Sequence, residues 1–321
     1  MSRILFVRTD RLGETVLTLP ALHALRAAMP QAHLTLMVGS SLQELLAQYP
    51  AADDVVAEPP FGDRWWRRAG SLSRLWRSWH IETALVFNPK KEYHAAAWLA
   101  GIPQRVGYDR KWGRLLTHRV PDRKAIGERH EVEHNLDLVR LLGLPAARPQ
   151  WQWPSFAREW EEARQLLAAQ GVSPSGALVA IHPWTSHPAK QWPFARYREV
   201  IQVLRERRSM GVVVIGGAEE RARVQAVLPE GGRVADVVGR LSLRQLAALL
   251  RQARVLVSND SGPVHLAAAL GTPTVVLFGT ADSATGPVRW GPWGAGHTVL
   301  CKPRMEQIAV EEVLRAVQRY E

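Results

Sequence analysis

Residues 254–280, RVLVSNDSGPVHLAAALGTPTVVLFGT, constrain the fold of this chain more than any other segment. Val255–Val257 is a short apolar run of the kind that forms a buried parallel strand. Asn259–Gly262 then supplies turn and helix-cap residues, and Val264–Leu270 has the composition of a short Ala-rich helix. A second apolar strand, Thr274–Phe278, follows. The segment therefore predicts a strand–loop–helix–strand unit of an α/β sheet.

The loop of this unit suits a ligand. A helix N-terminus presents free N–H groups and a partial positive charge, which favour a phosphate or sugar hydroxyls. Asp260, Ser261 and Gly262 lie in the loop, and His265 lies in the first helical turn, within reach of the same ligand. The alternative is an ordinary capped helix, in which Asp260 and Ser261 serve only their own backbone and His265 is a packed side chain.

The bulk composition indicates a two-domain globular protein. A length of 321 residues suits two domains of about 150 residues each. The single cysteine, Cys301, excludes an internal disulfide framework and fits a reducing cytosol. The N-terminal apolar run is too short for a signal peptide, and no stretch approaches the roughly 18 apolar residues of a membrane span. We therefore expect a cytoplasmic protein.

The net charge of +11 is concentrated in one part of the first half. Residues 64–129 hold fifteen Lys and Arg against five Asp and Glu. Such a segment suits nucleic acid, an anionic membrane face or an anionic substrate, and a plain Arg-rich solvated surface is an equal alternative. No zinc-finger, RNA-recognition or helix-turn-helix pattern accompanies it, so we expect no nucleic-acid partner.

Apolar strands alternate with helical patterns along the whole chain. Strands are predicted at 3–8, 33–38, 54–57, 83–87, 101–108, 178–182, 211–217, 255–257 and 274–278, and helices near 20–26, 41–48, 65–79, 135–142, 197–207, 219–228, 243–251, 264–270 and 310–320. This rhythm is typical of a doubly wound α/β fold, which binds ligands at the carboxyl ends of its strands. The remainder of 101–134 is expected to be basic loop.

The Pro-rich stretch 144–155 lacks periodicity and is the predicted domain boundary. It divides the chain into an N-terminal domain of residues 1–155 and a C-terminal domain of residues 156–321. The last predicted helix either stays with the second domain or packs back on the first.

Two further loops at strand ends contain polar and charged side chains that could bind a ligand. In Thr9–Glu14, Gly13 would allow close backbone approach of a ligand, and Asp10 or Glu14 could serve as a base. The second loop, His182–Pro193, places two hydroxyls and a cation together: Thr185, Ser186 and Lys190. Together with the Asp260 loop, these segments predict a cleft that closes on a nucleotide-linked substrate.

Several common motifs are missing from the sequence, which narrows the chemistry. There is no Gly-x-x-x-x-Gly-Lys-Ser/Thr phosphate loop and no Gly-x-Gly-x-x-Gly after a predicted strand. There is also no Gly-x-Ser-x-Gly hydrolase elbow and no His/Cys/carboxylate set at metal-ligand spacing. P-loop nucleotidase, dehydrogenase, hydrolase and metal-site interpretations are therefore disfavoured.

The motifs resemble those of the lipopolysaccharide heptosyltransferases, which are glycosyltransferases of family 9 and the GT-B type. The similarity covers nearly the whole chain and is carried by these segments: Ile4–Thr9, Leu12–Glu14, Leu19–Leu22, Arg105–Tyr108, Glu133–His134, Lys190–Pro193 and Asn259–Pro273. The resemblance implies two facing Rossmann-like domains with an interdomain cleft. It also implies an ADP-heptose donor held by the second domain, an anionic lipid A and inner-core acceptor held by the first, and an inverting transfer that uses no metal or other cofactor.

The resemblance also implies roles for particular residues. Glu14 occupies the position where the family usually has an aspartate, the general base; either Glu14 or Asp10 takes that role here. Lys190 would neutralise the diphosphate as ADP leaves. In the donor site, Asp260 would bind sugar hydroxyls and Glu219 would bind the ribose. Thr185 and Ser186 match the family motif only loosely in spacing. The donor site would be lined by Gly13, Thr185, Ser186, Lys190, Glu219, Asp260, Ser261, Gly262 and His265. The anionic acceptor would meet Arg64, Arg67, Arg68, Lys90, Lys91 and Arg105.

We therefore expect a heptosyltransferase that works at the inner face of the cytoplasmic membrane and is held there peripherally by charge. Two alternatives stay open. One is a family 9 transferase that uses another nucleotide sugar or a non-lipid acceptor. The other is a catalytically silent relative that binds nucleotide or glycolipid, which the glutamate at position 14 favours and the retained Lys190, Asp260 and His265 oppose.

Overall fold

The computed structural model describes residues 2–60, 62, 64–145, 151–173, 176–207, 210–280, 282 and 284–320. The chain forms two compact units, Met1–Pro154 and Ser155–Glu321. Each unit contains its own six-stranded sheet. Within the described ranges, no helix is both long and apolar enough to cross a membrane.

In the first unit, strands and helices alternate from the N-terminus. The elements are β1 (Arg3–Arg8), α1 (Leu12–Val16), α2 (Leu19–Ala28), β2 (His33–Val38), α3 (Ser40–Leu46), β3 (Asp54–Ala57), α4 (Trp65–Ser78), β4 (Thr83–Val86), α5 (Lys91–Leu99), β5 (Gln104–Asp109), β6 (His118–Pro121) and α6 (Glu131–Arg140). Short 3₁₀ turns lie at Gly113–Leu115 and Lys124–Ile126.

The second unit repeats this alternation. Its elements are α7 (Ala157–Ala168), β7 (Ala177–His182), α8 (Phe194–Glu206), β8 (Met210–Val214), β9 (Val234–Asp236), α9 (Leu243–Gln252), β10 (Val255–Asn259), α10 (Gly262–Ala269), β11 (Thr274–Phe278), α11 (Pro287–Trp290), β12 (Thr298–Cys301) and α12 (Val310–Gln318). The 3₁₀ segments are Pro188–Lys190, Ala218–Ala226 and Met305–Gln307.

Both sheets have the same strand order. The first runs β3-β2-β1-β4-β5-β6 and the second β9-β8-β7-β10-β11-β12, and the paired strands are parallel. In each sheet the chain reverses its direction of winding between the first and fourth strands, which are β1 and β4 in one unit and β7 and β10 in the other. Open α/β sheets bind ligands at such switch points. The predicted doubly wound α/β fold is confirmed.

Burial explains why these segments became central strands. Every residue of β8, β10 and β11 is buried, as are all but the first of β1 and β7. A parallel strand with helices on both faces has no solvent side, so its sequence is a continuous apolar run. The helices pack large aromatic side chains against these strands: Trp76, Tyr93 and Tyr197 are fully buried, as is Trp192 in the loop before α8.

Three sequence predictions need correction. The region 101–134 contains a sixth strand, β6, and two 3₁₀ turns rather than basic loop, and α6 already begins at Glu131. The strand was missed because β6 is a sheet edge whose residues are alternately half-buried and exposed, so its sequence is not an apolar run. The segment near 219–228 is a 3₁₀ helix; Val224 is its one buried residue, so little apolar contact holds it against the sheet.

The last helix, α12, lies in the core of its own unit. Val310, Val313, Ala316 and Val317 of α12 pack in one buried apolar cluster with residues of β7, β8, β10 and β11. Its apolar face is therefore used within the second unit.

Candidate active site

The loop after β1 lines a cavity in the first unit. The cavity has a volume of about 700 Å³ and is formed at the carboxyl ends of β1, β2 and β3. Its lining residues are Thr9, Asp10, Arg11, Glu14, Gly39, Ser40, Ser41, Ala57, Glu58, Pro59, Pro60 and Arg68. Both predicted base candidates, Asp10 and Glu14, therefore share one cavity. Gly13 lies beside them but is buried inside α1.

The two carboxylates differ in how they are held. Oδ1 of Asp10 accepts a hydrogen bond from Nδ2 of Asn88 at 3.1 Å, and Oδ2 lies 3.6 Å from Nε of Arg8. Glu14, in the first turn of α1, is half-buried, and its carboxylate has no hydrogen-bond or ion-pair partner within the described part of the chain. Asp10 is thus fixed by a cation and an amide, whereas the oxygens of Glu14 are available to a substrate proton.

A partly buried hydrogen-bond chain supports this cavity. Asn88 donates to Oγ1 of Thr9 at 3.0 Å, Thr9 contacts the Tyr93 hydroxyl at 2.5 Å, and Tyr93 donates to Oε1 of Glu58 at 2.6 Å. Burial raises the pKa of the Tyr93 hydroxyl, so it stays protonated and its hydrogen points to Glu58. The sequence prediction missed Glu58 and Tyr93. The position of Glu58 directly after β3, at the same sheet edge as the Asp10 loop, could have identified it.

Two of the six predicted acceptor residues lie beside this network. Nε of Arg68 lies 3.0 Å from Oε1 of Glu58, so this guanidinium is paired at the cavity wall. Nζ of Lys90 lies 3.4 Å from the Tyr93 hydroxyl and over the same ring. Arg105 is different, because its guanidinium donates to the carbonyls of Leu115 at 2.7 Å and Ile102 at 2.5 Å. These two bonds favour a structural role for Arg105.

The other predicted cations lie on a surface that we call the tryptophan patch. It comprises Arg64, Trp65, Trp66, Lys91 and Trp112. The Trp65 ring packs edge-on against Trp66 and Trp112 at centroid distances of 6.0 and 4.8 Å, the Lys91 ammonium lies 4.9 Å from the Trp65 centroid, and the Arg64 guanidinium lies 5.5 Å from that of Trp66. Trp66 and Trp112 are 52% and 50% exposed. The sixth predicted cation, Arg67, is exposed next to this patch in sequence.

The second unit has a smaller cavity. It has a volume of about 260 Å³ at the carboxyl ends of β10 and β11 and is lined by His187, Ala189, Lys190, Asp260, Leu277, Phe278, Gly279, Thr280 and Thr285. Lys190 and Asp260, two predicted donor residues, form an ion pair inside it. Thr280 and Thr285 were not predicted, because 274–278 was interpreted as a core strand and not as the approach to a site.

Asn259 joins the segments that form this cavity. Its side chain is fully buried; Oδ1 accepts from the Trp192 amide at 3.2 Å and the Tyr197 hydroxyl at 3.0 Å, and Nδ2 donates to the Pro183 carbonyl at 2.9 Å. Pro183 and Trp192 are near the two ends of the loop that carries Lys190. One amide therefore fixes both ends of the Lys190 loop against the end of β10.

The residues around the N-terminus of α10 are arranged for more than capping. Ser261 is the N-cap residue, yet its side chain makes no capping hydrogen bond to the helix. The ordinary-cap alternative is thus wrong for Ser261. Gly262 opens the helix, and His265 is buried one turn later with its ring centroid 6.4 Å from that of Trp290.

The remaining predicted donor residues are spread over two loops. Thr185 is half-buried and its Oγ1 accepts from the His187 amide at 3.4 Å, while Ser186 is exposed in the same loop as Lys190. Glu219 is exposed at the start of the 3₁₀ helix after β8. Its neighbour Glu220 instead accepts from the Gly217 amide at 2.6 Å. Among the residues that the structure describes, no three His, Cys, Asp or Glu side chains lie close enough together to hold a metal ion.

Comparison with known proteins identifies the family. The model for glycosyltransferase family 9 (heptosyltransferase) matches residues 86–317. The chain belongs to this family. It is 31% identical over 322 residues to lipopolysaccharide heptosyltransferase 1 of Pseudomonas aeruginosa, which covers 95% of this chain and 86% of that protein. The chain is therefore a glycosyltransferase of the heptosyltransferase family.

Solved structures confirm the GT-B type of fold. A family 9 glycosyl transferase from Veillonella parvula superposes with a TM-score of 0.88 at 23% identity, covering 99% of this chain and 97% of that one. An Escherichia coli heptosyltransferase solved with ADP superposes with a TM-score of 0.75 at 22% identity, covering 99% and 100%.

We expect Asn259→Leu to destabilise the second unit by about 2 kcal/mol or more. The substitution removes the side-chain oxygen that accepts from the Tyr197 hydroxyl and from the Trp192 amide, both buried, at about 1–3 kcal/mol each. The Pro183 carbonyl, by contrast, keeps the hydrogen bond from Gln191. Urea unfolding followed by tryptophan fluorescence measures this loss. Gln43→Leu is the control, because that exposed amide makes one long bond of 3.4 Å. Equal unfolding midpoints for Asn259→Leu and the control would contradict the role of Asn259.

Proposed function

We propose that this glycosyltransferase moves heptose from ADP-heptose to an anionic inner-core lipopolysaccharide acceptor, with inversion and without a metal ion. The observation that carries the proposal is the Lys190–Asp260 pair in the second-unit cavity. A cation and a carboxylate in one small cavity are what a sugar diphosphate needs, because one binds phosphate and the other accepts from sugar hydroxyls. The E. coli heptosyltransferase structure with ADP supports the same nucleotide.

In this proposal Lys190 exchanges its partner when the donor binds. Its ammonium is paired with Asp260 in the free protein; on donor binding it moves to the diphosphate and Asp260 becomes available to hydroxyls of the sugar. Negative charge grows on the diphosphate as the sugar–phosphate bond breaks, so a cation placed there stabilises the transition state more than the ground state. The free N–H groups at the start of α10 add partial positive charge. Gly262, His265 and the hydroxyls of Thr185 and Ser186 complete the donor contacts.

Glu14 is the proposed base. It takes the proton from the acceptor hydroxyl as that oxygen forms the new bond to the anomeric carbon and ADP leaves from the opposite side. Its carboxylate oxygens have no partner among the described residues, which suits this role better than the paired carboxylate of Asp10. Asp10 then fixes Asn88 and the loop after β1. In place of aspartate, the glutamate at position 14 carries its carboxylate one methylene further from the backbone.

The first unit is proposed to hold the acceptor. Inner-core glycolipid carries phosphates and carboxylates, and the excess of cations over residues 64–129 complements them. Arg64, Arg67, Arg68, Lys90 and Lys91 are the proposed contacts. The tryptophan patch would also meet the cytoplasmic membrane face, since tryptophan rings favour the bilayer interface and cations favour anionic headgroups. This predicts a cytoplasmic enzyme in peripheral contact with the membrane.

Glu14→Gln should abolish transfer, whereas Asp10→Asn should keep a measurable rate. Loss of a positioned general base costs about 10²–10⁴-fold in rate, and the glutamine keeps the size of the side chain. The measurement is mass-spectrometric detection of a heptose-sized gain on a panel of truncated lipopolysaccharide acceptors with ADP-heptose. Transfer by Glu14→Gln at the wild-type rate would remove the base assignment, and loss confined to Asp10→Asn would move it to Asp10.

Lys190→Ala should weaken ADP binding and slow transfer together. The variant removes the one side-chain cation that the proposal places on the diphosphate, which corresponds to roughly tenfold or more in affinity. Titration calorimetry with ADP measures the binding. Lys302→Ala is the matched control, because Lys302 also pairs with a carboxylate, Glu312 at 3.0 Å, but lines neither cavity. Unchanged ADP affinity in Lys190→Ala would contradict the phosphate role.

Replacing both Trp66 and Trp112 with alanine should reduce sedimentation of the protein with vesicles that contain anionic phospholipid. The two side chains are the exposed aromatics of the patch, and removing them deletes the surface that the bilayer interface favours. Trp98→Ala is the control, since Trp98 is 53% exposed on the same unit outside the patch. Equal vesicle binding by the double variant and the control would contradict membrane contact at this surface.

A further inference from the structure

The side chain of Ser261 does not cap α10, although Ser261 is the N-cap residue of that helix. A serine at a helix N-cap normally accepts a hydrogen bond from a backbone N–H of the first turn. Ser261 makes no such bond to α10. Its Oγ instead lies 3.1 Å from Nδ1 of His182 and 2.9 Å from Oγ of Ser258. The Ser261 hydroxyl therefore contacts His182 and Ser258 instead of capping α10.

His182 and Ser258 are cross-strand neighbours at the switch point of the second sheet. His182 is the last residue of β7, and the register of β7 with β10 pairs it with Ser258. Nδ1 of His182 lies 3.2 Å from Oγ of Ser258, so the imidazole contacts both serine hydroxyls. His182 is 7% exposed and Ser258 is fully buried. The parallel register therefore presents one ring nitrogen to the loop that begins α10.

Counting hydrogens selects one tautomer of the imidazole. Burial lowers the pKa of His182 to about 4, so the ring is neutral at pH 7 and carries one N–H. Oγ of Ser258 already donates its hydrogen to the Asn259 carbonyl at 2.8 Å and can only accept from its other neighbours. With the hydrogen on Nδ1, that one hydrogen is shared between the two serine oxygens and Ser261 donates to Ser258, so none of the three contacts joins two acceptors. With it on Nε2, the contact of Nδ1 with Ser258 joins two acceptors.

We propose that His182 is a positioning residue that makes Ser261 a hydrogen-bond donor to a phosphoryl oxygen of the nucleotide sugar. The proposal rests on the donor site proposed above. Nδ1–H of His182 donates to a lone pair of Ser261 Oγ and fixes the oxygen in place. The hydrogen of Ser261 is then free to turn from Ser258 to the ligand without loss of the contact to His182. A hydroxyl that accepts from a neutral N–H donates more strongly, because hydrogen bonds in a chain polarise one another.

The test compares ADP binding among variants at His182 and Ser261 by titration calorimetry. The variants are His182→Phe, His182→Asn, His182→Gln, Ser261→Ala and the double variant His182→Phe/Ser261→Ala. An asparagine amide nitrogen can occupy the position of Nδ1 and donate to Ser261, whereas glutamine places its amide nearer to Nε2. Thermal melting of each variant confirms that it is folded, and Lys302→Ala serves again as a neutral control.

We expect His182→Phe and His182→Gln to weaken ADP binding by roughly tenfold, as for loss of one hydrogen bond to a charged group, and His182→Asn to restore most of it. In the Ser261→Ala background, His182→Phe should have no further effect, because its action passes through that hydroxyl. A purely structural role predicts an additive loss and no rescue by asparagine. If His182→Phe fails to fold, the ADP affinities of His182→Asn and His182→Gln still test the positioning role, because only asparagine should restore binding.

The outcomes separate this inference from the donor site itself. If His182→Phe binds ADP as tightly as the wild-type protein does, His182 is not a positioning residue. The proposed donor site is unaffected by that result. Additive losses in the double variant would overturn the positioning role equally. Wild-type protein that binds no ADP would overturn the donor site, and the positioning role with it.

Discussion

A buried asparagine at the topological switch point is the interaction on which both candidate cavities depend. In the first unit, Asn88 follows β4 and donates to Thr9 and Asp10 in the loop after β1. In the second, Asn259 ends β10 and bonds to the loop after β7. The first and fourth strands are neighbours in each sheet, but their helices leave on opposite faces, so the loops diverge there. A buried amide can bridge that gap: Asn88 does so with its Nδ2 group alone, and Asn259 with both its donor and its acceptor.

The charged side chains around the two cavities differ in whether another side chain of the protein pairs with them. Asp10 is held by Arg8 and Asn88, and the neighbouring Glu14 has no such partner in the described structure. Lys190 and Asp260 neutralise each other, so neither partly buried charge lacks a counter-charge. A ligand that carries both a diphosphate and hydroxyls can replace that pair without stranding either charge. A ligand with only one of the two features cannot, so under the proposed function the pair would favour a sugar diphosphate.

Much of the fold and part of the candidate site follow from the sequence. The central strands were predictable because burial on both faces makes them continuous apolar runs, as in Val255–Val257. The edge strand β6 was not, since an edge residue is only partly buried and its pattern resembles a loop. Lys190 and Asp260 were found from their motifs. Glu58, Tyr93 and His182 were missed, because each acts through a partner that is distant in sequence, and only strand register brings those partners together.

The anomeric configuration of the product tests whether the proposed transfer of heptose from an ADP-sugar is inverting. The reaction of ADP-heptose with a truncated inner-core acceptor can be followed by NMR in the presence of EDTA. We expect ADP to be released in step with a new glycosidic bond, whose anomeric configuration is opposite to that of the donor. A product that retains the configuration of the donor, or a reaction that stops when EDTA is added, would contradict the proposal.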